Sequence, residues 1–266
     1  MLTLKALRTT PWRAALALAL AASFVSAAAL AQDGAKAPAT FGSNWQSWKA
    51  GNSVADTASL QRGARDFLSY CNGCHSLEFM RYKRLGQDLK IPPSMLQQLL
   101  VPSTKKASDY ITTPMPAADA VNWFGKQPPD LSLIASELGT NYIYQYLTTF
   151  YMDPSRSTGA NNLALPNSAM PDVVSQLEGL KRAVFKTVVV NGAKEQVFDH
   201  FVTVVPGSMT REQYDQFARD ITNFLDYVAS PEQLHRRQLG IWVVLFLIVF
   251  TWLAWLLKKE YWKDVH

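Results

Sequence analysis

One short segment carries the clearest chemistry of this chain, the Cys-x-x-Cys-His sequence formed by Cys71, Cys74 and His75. It uses both cysteines of the chain and is typical of covalent haem c attachment. Residues three and four positions apart lie on one face of a helical turn, so both thiols can reach the haem vinyl groups while His75 faces the iron. The segment therefore predicts one haem c, held by thioethers to Cys71 and Cys74, with His75 as an axial ligand.

Two other kinds of site use paired cysteines, a zinc site and a thioredoxin-like dithiol. A zinc site needs further Cys or His ligands nearby. The remaining histidines are His200, His235 and His266, which are all distant in sequence. Haem attachment is therefore the favoured interpretation.

The sixth ligand of the iron separates an electron carrier from a haem enzyme, and a methionine thioether would close that position. Met115 and Met170 both precede proline in irregular stretches, which suits a thioether ligand. The others are less suitable: Met80 is too close to the motif, Met95 and Met152 lie in apolar runs typical of a core, and Met209 adjoins a helix start. Spacing alone leaves Met115 and Met170 open.

The net charge of +5 suggests at first a partner such as nucleic acid. The basic residues in excess, however, lie near the N-terminus and around a C-terminal apolar segment, and residues 32–235 are close to neutral. A basic patch suited to a phosphate backbone is not predicted. We therefore expect no nucleic-acid partner.

The first 31 residues have the pattern of a secretory signal peptide. A basic start precedes an apolar run over residues 14–25, and Ala29-Leu30-Ala31 provides an A-x-A cleavage site. We expect cleavage after Ala31 and export of the rest. In a Gram-negative cell the exported compartment is the periplasm.

Residues 239–257 contain no charge and predict a transmembrane helix, since at about 1.5 Å per residue they nearly span the hydrocarbon core. Tryptophans gather toward the C-terminal end of this segment, as is typical of a membrane interface. With an exported N-terminus, residues 32–235 form a periplasmic haem domain and residues 258–266 a cytoplasmic tail. The prediction is a single-pass protein of the inner (cytoplasmic) membrane.

The remaining pattern predicts a mainly α fold, a cytochrome c-like haem domain with long loops. Apolar positions from Leu60 follow helical spacing into the haem motif, and a second helix is expected from Arg211 to Ala229 with a capping box at Thr210 and Gln213. β-Branched stretches at 186–190 and 196–205 flank Asn191-Gly192 and predict a small hairpin.

The chain resembles cytochrome c1, the haem c subunit of quinol–cytochrome c oxidoreductase (the bc1 complex), in its proteobacterial form. The resemblance is carried, in order, by Cys71-Asn72-Gly73-Cys74-His75-Ser76 with Tyr82 and Arg84; Pro128-Pro129-Asp130-Leu131-Ser132; Asn161-Asn162 through Leu165-Pro166-Asn167 to Met170-Pro171; and Ala218-Arg219-Asp220-Ile221 with Phe224-Leu225, then Pro231-Glu232, Arg236-Arg237, Gly240 and the apolar segment.

The resemblance implies that Met170 is the sixth ligand and that Pro129 belongs to a loop beside the haem. It implies electron transfer with no catalytic residue in the isolated chain: electrons would come from the Rieske iron–sulfur protein and pass to a periplasmic cytochrome c. Cytochrome b would be a further partner, in a dimeric complex. The alternatives are a membrane-anchored c-type cytochrome of another respiratory oxidoreductase and a haem peroxidase or sensor.

One departure from the family concerns charge near the haem. Members usually carry arginine between the positions of Leu131 and Tyr142, suited to pairing with a haem propionate, and this chain has none there. Arg84 and Lys126 are the candidate substitutes, and Arg84 is accordingly expected in the haem environment.

Overall fold

The computed structural model describes residues 44–190 and 193–263. Four predicted features lie wholly or partly outside these residues. They are the signal peptide (1–31), the first residues of the expected mature chain (32–43), the turn Asn191-Gly192 and the end of the tail (264–266).

The described residues form a mainly helical head followed by one long C-terminal helix. The helices are α1 (Thr57–Tyr70), α2 (Tyr82–Asp88), α3 (Pro93–Met95), α4 (Ala117–Phe124), α5 (Ile134–Leu138), α6 (Thr140–Thr148), α7 (Ser175–Glu178), α8 (Arg211–Ala229) and α9 (Gln233–Tyr261), with a 3₁₀ turn at Trp45–Ser47 and a π turn at Leu96–Leu100. Three antiparallel pairs of strands complete it: β1 (Leu77–Arg81) with β2 (Tyr110–Ile111), β3 (Phe150–Met152) with β4 (Ala160–Asn162), and β5 (Gly179–Val190) with β6 (Ala193–Pro206).

Helix α1 begins three residues before the predicted start at Leu60. The Asp56 side chain accepts a hydrogen bond from the Ser59 N–H at 3.0 Å, so an N-cap that the apolar pattern did not indicate sets the start. Helix α8 has the predicted bounds. Its capping box is confirmed, because Thr210 and Gln213 exchange side chain to backbone hydrogen bonds.

Helices α1 and α8 cross and form the centre of the core. The predicted apolar stripe of α8 is buried and that of α1 is mostly so, including Phe67 on α1 and Phe224 on α8, whose rings lie 5.7 Å apart. Gly63 lies at the crossing. A Cβ added there would overlap the Asp220 carbonyl oxygen and lie 2.7 Å from the Phe224 Cβ, so only glycine permits this approach.

A buried carboxylate joins the same two helices. Asp220 is 2% exposed and accepts hydrogen bonds from Ser59 Oγ at 2.6 Å, from Arg62 Nε at 2.6 Å and from Gln216 Nε2 at 2.9 Å. Burying a carboxylate is costly unless its oxygens are paired. These donors fulfil that condition and fix the register of the crossing.

The β5–β6 hairpin is confirmed, and it is longer than the β-branched stretches predicted. Its register runs from Gly179 opposite Pro206 to Val190 opposite Ala193. At its base the Lys181 ammonium is buried, pairs with Glu178 and donates a hydrogen bond to the Thr148 carbonyl at 2.8 Å. The hydrogen bond to Thr148 ties the hairpin to the end of α6.

Among the described residues, α9 is the one helix long and apolar enough to cross a membrane. It contains the whole predicted span 239–257 and begins six residues earlier, at Gln233. The apolar side chains of that span are exposed, as expected of a membrane anchor and not of a buried core helix. The fold class therefore agrees with the prediction of a mainly α haem-domain fold with one C-terminal apolar helix.

We predict that Gly63→Ala lowers the free energy of unfolding of the head by about 1–3 kcal/mol, because the added methyl group would force α1 and α8 apart. Thermal unfolding of the detergent-solubilised chain, followed by circular dichroism, measures the effect. Gly240→Ala is the matched control, since that glycine is also helical and has nothing within 4 Å of the added Cβ. Equal stability of the two variants would contradict close packing at the crossing.

Candidate functional site

A largely apolar pocket lies where α1 and α8 meet the loops of the middle of the chain. Phe67 of α1, Ile221 and Leu225 of α8 and several aromatic residues of α4 and α6 form its walls. Five residues that the sequence assigns to haem attachment, iron ligation or the adjoining loop line it: Cys71, Cys74, His75, Pro129 and Met170. The fold thus brings together one face of the motif and a loop about a hundred residues further along the chain.

The cysteine motif follows directly from the end of α1. The Cys71 N–H donates to the Phe67 carbonyl at 2.8 Å, and the His75 N–H donates back to the Cys71 carbonyl at 2.9 Å. The buried Asn72 side chain closes the turn with a 3.0 Å hydrogen bond to the His75 carbonyl. The turn therefore holds both thiols and the imidazole at the pocket.

The His75 ring is oriented by a backbone carbonyl. Its Nδ1 lies 2.7 Å from the Pro129 carbonyl oxygen, which can only accept, so Nδ1 carries the proton. In the neutral ring Nε2 then has a free lone pair, as a metal-ligating imidazole requires. Burial lowers the pKa of His75, although the Pro129 hydrogen bond opposes the shift.

The two thiols do not resemble a redox dithiol or a zinc site. Cys71 and Cys74 are not joined by a disulfide, and burial raises the pKa of Cys71 to about 12 and that of Cys74 in the same direction. Within residues 44–190 and 193–263 no cluster of three His, Cys, Asp or Glu side chains could hold a metal ion.

Of the two methionines left open by spacing, Met170 lines the pocket, and Met115 is not among the described residues of its wall. Met80 is buried in the core. Met95 is 48% exposed, so its expected place in the core was wrong, because the short helix α3 turns it toward solvent.

The loop that presents Met170 is held by asparagine side chains that the sequence pattern did not single out as structural. Asn162 is fully buried, and its Oδ1 accepts from the N–H groups of Ala164 and Leu165 at 2.8 and 3.2 Å. Its amide Nδ2 donates to the Tyr146 carbonyl at 2.8 Å. Closer to Met170, Ser168 Oγ accepts from the Met170 N–H at 3.2 Å.

The two candidate cations lie in different places. Arg84 is outside the described wall of the pocket: its guanidinium donates to Glu232 at 2.6 Å and to Asp88 at 3.3 Å, joining α2 to the start of α9. Its expected place in the haem environment is not where the structure puts it, because these carboxylates hold it elsewhere. Lys126, in contrast, lines the pocket.

This set of groups fits a covalently attached haem. The apolar walls suit the porphyrin, the thiols of Cys71 and Cys74 suit thioether bonds, and the imidazole and the thioether are both ligands of haem iron. The hydrogen bond from His75 to Pro129 was missed at the sequence level, since a backbone carbonyl leaves no signature in residue types.

Comparison with known proteins agrees with this chemistry. Residues 46–265 match the Cytochrome C1 family. The chain is 45% identical to cytochrome c1 of Allochromatium vinosum over 80% of this chain and 87% of that protein. It is 40% identical to a Nitrosomonas europaea protein named ammonia monooxygenase gamma subunit, over 80% of this chain and 86% of that protein. It is 29% identical to the mitochondrial cytochrome c1 haem protein of Saccharomyces cerevisiae, over 79% of this chain and 68% of that protein.

The family match covers most of the chain and includes the whole pocket, the cysteine motif and the C-terminal helix. The resemblance drawn from separated motifs is thereby confirmed. The chain belongs to the cytochrome c1 family, whose members carry one covalently bound haem c and are the haem-bearing electron-transfer subunit of the bc1 complex.

Proposed function

We propose that Cys71 and Cys74 bind haem c through thioethers and that His75 and Met170 are its axial ligands. The observation that carries this assignment is the hydrogen bond from His75 Nδ1 to the Pro129 carbonyl, which leaves Nε2 free, in a pocket that Met170 also lines. Bound haem iron supplies one-electron redox chemistry. The chain holds both ligands in place, and Pro129 acts through His75.

Rigid ligands suit electron transfer, because little then rearranges between the two redox states. His75 is fixed by the Pro129 carbonyl, and the Met170 loop is fixed by Asn162 and Ser168. Both ligands are thus held by the chain's own backbone and side chains.

The electron path we propose follows from membership of the family. The Rieske iron–sulfur protein would reduce this subunit, which would pass the electron to a periplasmic cytochrome c, with cytochrome b as the membrane partner in a dimeric complex. The isolated chain would make no bond in a substrate. As in the sequence-based expectation, its role is that of a redox subunit of an oxidoreductase complex.

For the topology we propose a periplasmic haem domain at residues 32–235, a span at 239–257 and a cytoplasmic tail at 258–266. The signal-peptide pattern of residues 1–31 and the exposed apolar surface of α9 support this arrangement in the inner membrane. Arg84, through Glu232, would secure the head to the first turn of the anchor helix.

We predict that Met170→Ala abolishes the low-spin absorption spectrum of a methionine-ligated haem and lowers its midpoint potential, because a thioether favours ferrous iron. Met115→Ala is the control and should keep both. The measurement is redox titration with absorption spectroscopy of the purified chain. A Met170→Ala protein with an unchanged ferrous spectrum would instead favour the peroxidase or sensor alternative.

Asn162→Ala should weaken the iron–thioether bond without breaking the fold. The substitution removes the buried side-chain oxygen that accepts from the N–H groups of Ala164 and Leu165, at a cost of about 1 kcal/mol per hydrogen bond. Titration with imidazole should therefore displace Met170 at a lower concentration than in the unchanged chain. Asn122→Ala, on the exposed side of α4, is the matched control. Equal displacement curves would contradict a positioning role for Asn162.

The partner assignment is tested on the assembled protein. The chain would be isolated from gently solubilised membranes, quinol added, and reduction of its haem c followed in the presence and absence of a quinol-oxidation-site inhibitor. We expect inhibitor-sensitive reduction through co-purified b-type haem and an iron–sulfur protein. A lone, intact haem c chain that quinol does not reduce would favour an independent membrane-anchored cytochrome.

A further inference from the structure

The described wall of the pocket contains very few charged side chains. Lys126 is the one cationic side chain among the described lining residues, where His75 is a neutral imidazole, and no carboxylate is among them. A haem carries two propionates, which are ionised at neutral pH. Carboxylates brought next to an apolar surface need a cation or a hydrogen-bond donor to offset their lost hydration.

The backbone holds Lys126 close to the ligand chemistry. Gly125 ends α4 in the left-handed conformation, at φ 77°, and its N–H donates to the Val121 carbonyl at 2.9 Å. The chain then passes along the pocket, where Phe124, Lys126 and Pro129 all contribute to the wall. Lys126 thus stands between a helix end and the carbonyl that orients His75.

The Lys126 ammonium is also available. Its side chain is exposed, and the structure gives it no ion pair with any residue it describes. Arg84 is engaged by Asp88 and Glu232. The stretch between Leu131 and Tyr142 contains no arginine or lysine.

We propose that Lys126 is the cationic partner of a haem propionate in this chain. The inference rests on the proposed attachment of haem at Cys71, Cys74 and His75. The ammonium would hold the propionate edge at the mouth of the pocket and offset its negative charge near the iron. Because a nearby cation disfavours the extra positive charge of ferric iron, this pairing raises the midpoint potential.

The test is a charge series at one position, read as the midpoint potential of the purified, haem-loaded chain. Lys126→Arg should retain the potential, Lys126→Gln should lower it, and Lys126→Glu should lower it further. We expect a change of about two- to tenfold in the redox equilibrium constant for Lys126→Gln, where tenfold corresponds to about 59 mV for one electron. Lys194→Glu, on the exposed hairpin, makes the same charge change far from the wall and should leave the potential unchanged.

The low-spin spectrum and the salt dependence of the potential distinguish the ways in which the proposal could fail. Each potential is taken only from protein that keeps the low-spin spectrum, so loss of that spectrum in the unchanged chain overturns the haem assignment itself. With the spectrum intact, Lys126 variants that shift the potential no more than Lys194→Glu overturn the pairing. A shift that disappears in high salt also overturns it, since a solvated surface charge is screened more strongly than a contact pair.

Discussion

The close approach of α1 and α8 at Gly63 is the constraint on which the site depends. One helix ends in the cysteine motif, and the other supplies Ile221 and Leu225 to the wall of the pocket. A side chain at Gly63 would separate them, and the buried Asp220 carboxylate fixes how far each can slide. Backbone packing at the crossing therefore positions part of the pocket wall, while the residues that we assign to the haem lie on the turns and loops around it.

The two sides of the pocket are organised by different means. On the motif side, a short segment after α4 brings Lys126 and the Pro129 carbonyl to the wall, so one piece of backbone influences both the imidazole and the local charge. In the loop before Met170, the buried Asn162 side chain accepts a hydrogen bond from the Ala164 N–H and donates one to the Tyr146 carbonyl of α6, where regular secondary structure is absent. Irregular backbone at a buried site needs such partners. Both sides end in a fixed orientation for a ligand that we assign to the iron.

The features predictable from residue types were the local ones. The cysteine motif, the capping box at Thr210 and the hairpin have signatures in adjacent residues, and each lies where it was expected. The contact of His75 with Pro129 joins positions 54 apart through a carbonyl common to every residue, so composition could not indicate it. The pairing of Arg84 with Glu232 is similar, because an exposed arginine fits many partners and only the fold selects one. Met95 is a wrong prediction of a different kind. The apolar run around it predicts a core position, but the three-residue helix α3 leaves its side chain exposed.

The crossing of α1 and α8 also has a consequence for the order of events during synthesis. Arg62 and Asp220 are 158 positions apart, so the ribosome makes the cysteine motif well before the helix that completes the pocket. Until that helix arrives, the core against which Cys71 packs is incomplete. The late partner helix thus leaves an interval in which both thiols are more accessible to an attachment machinery than in the finished fold, where they are half-buried.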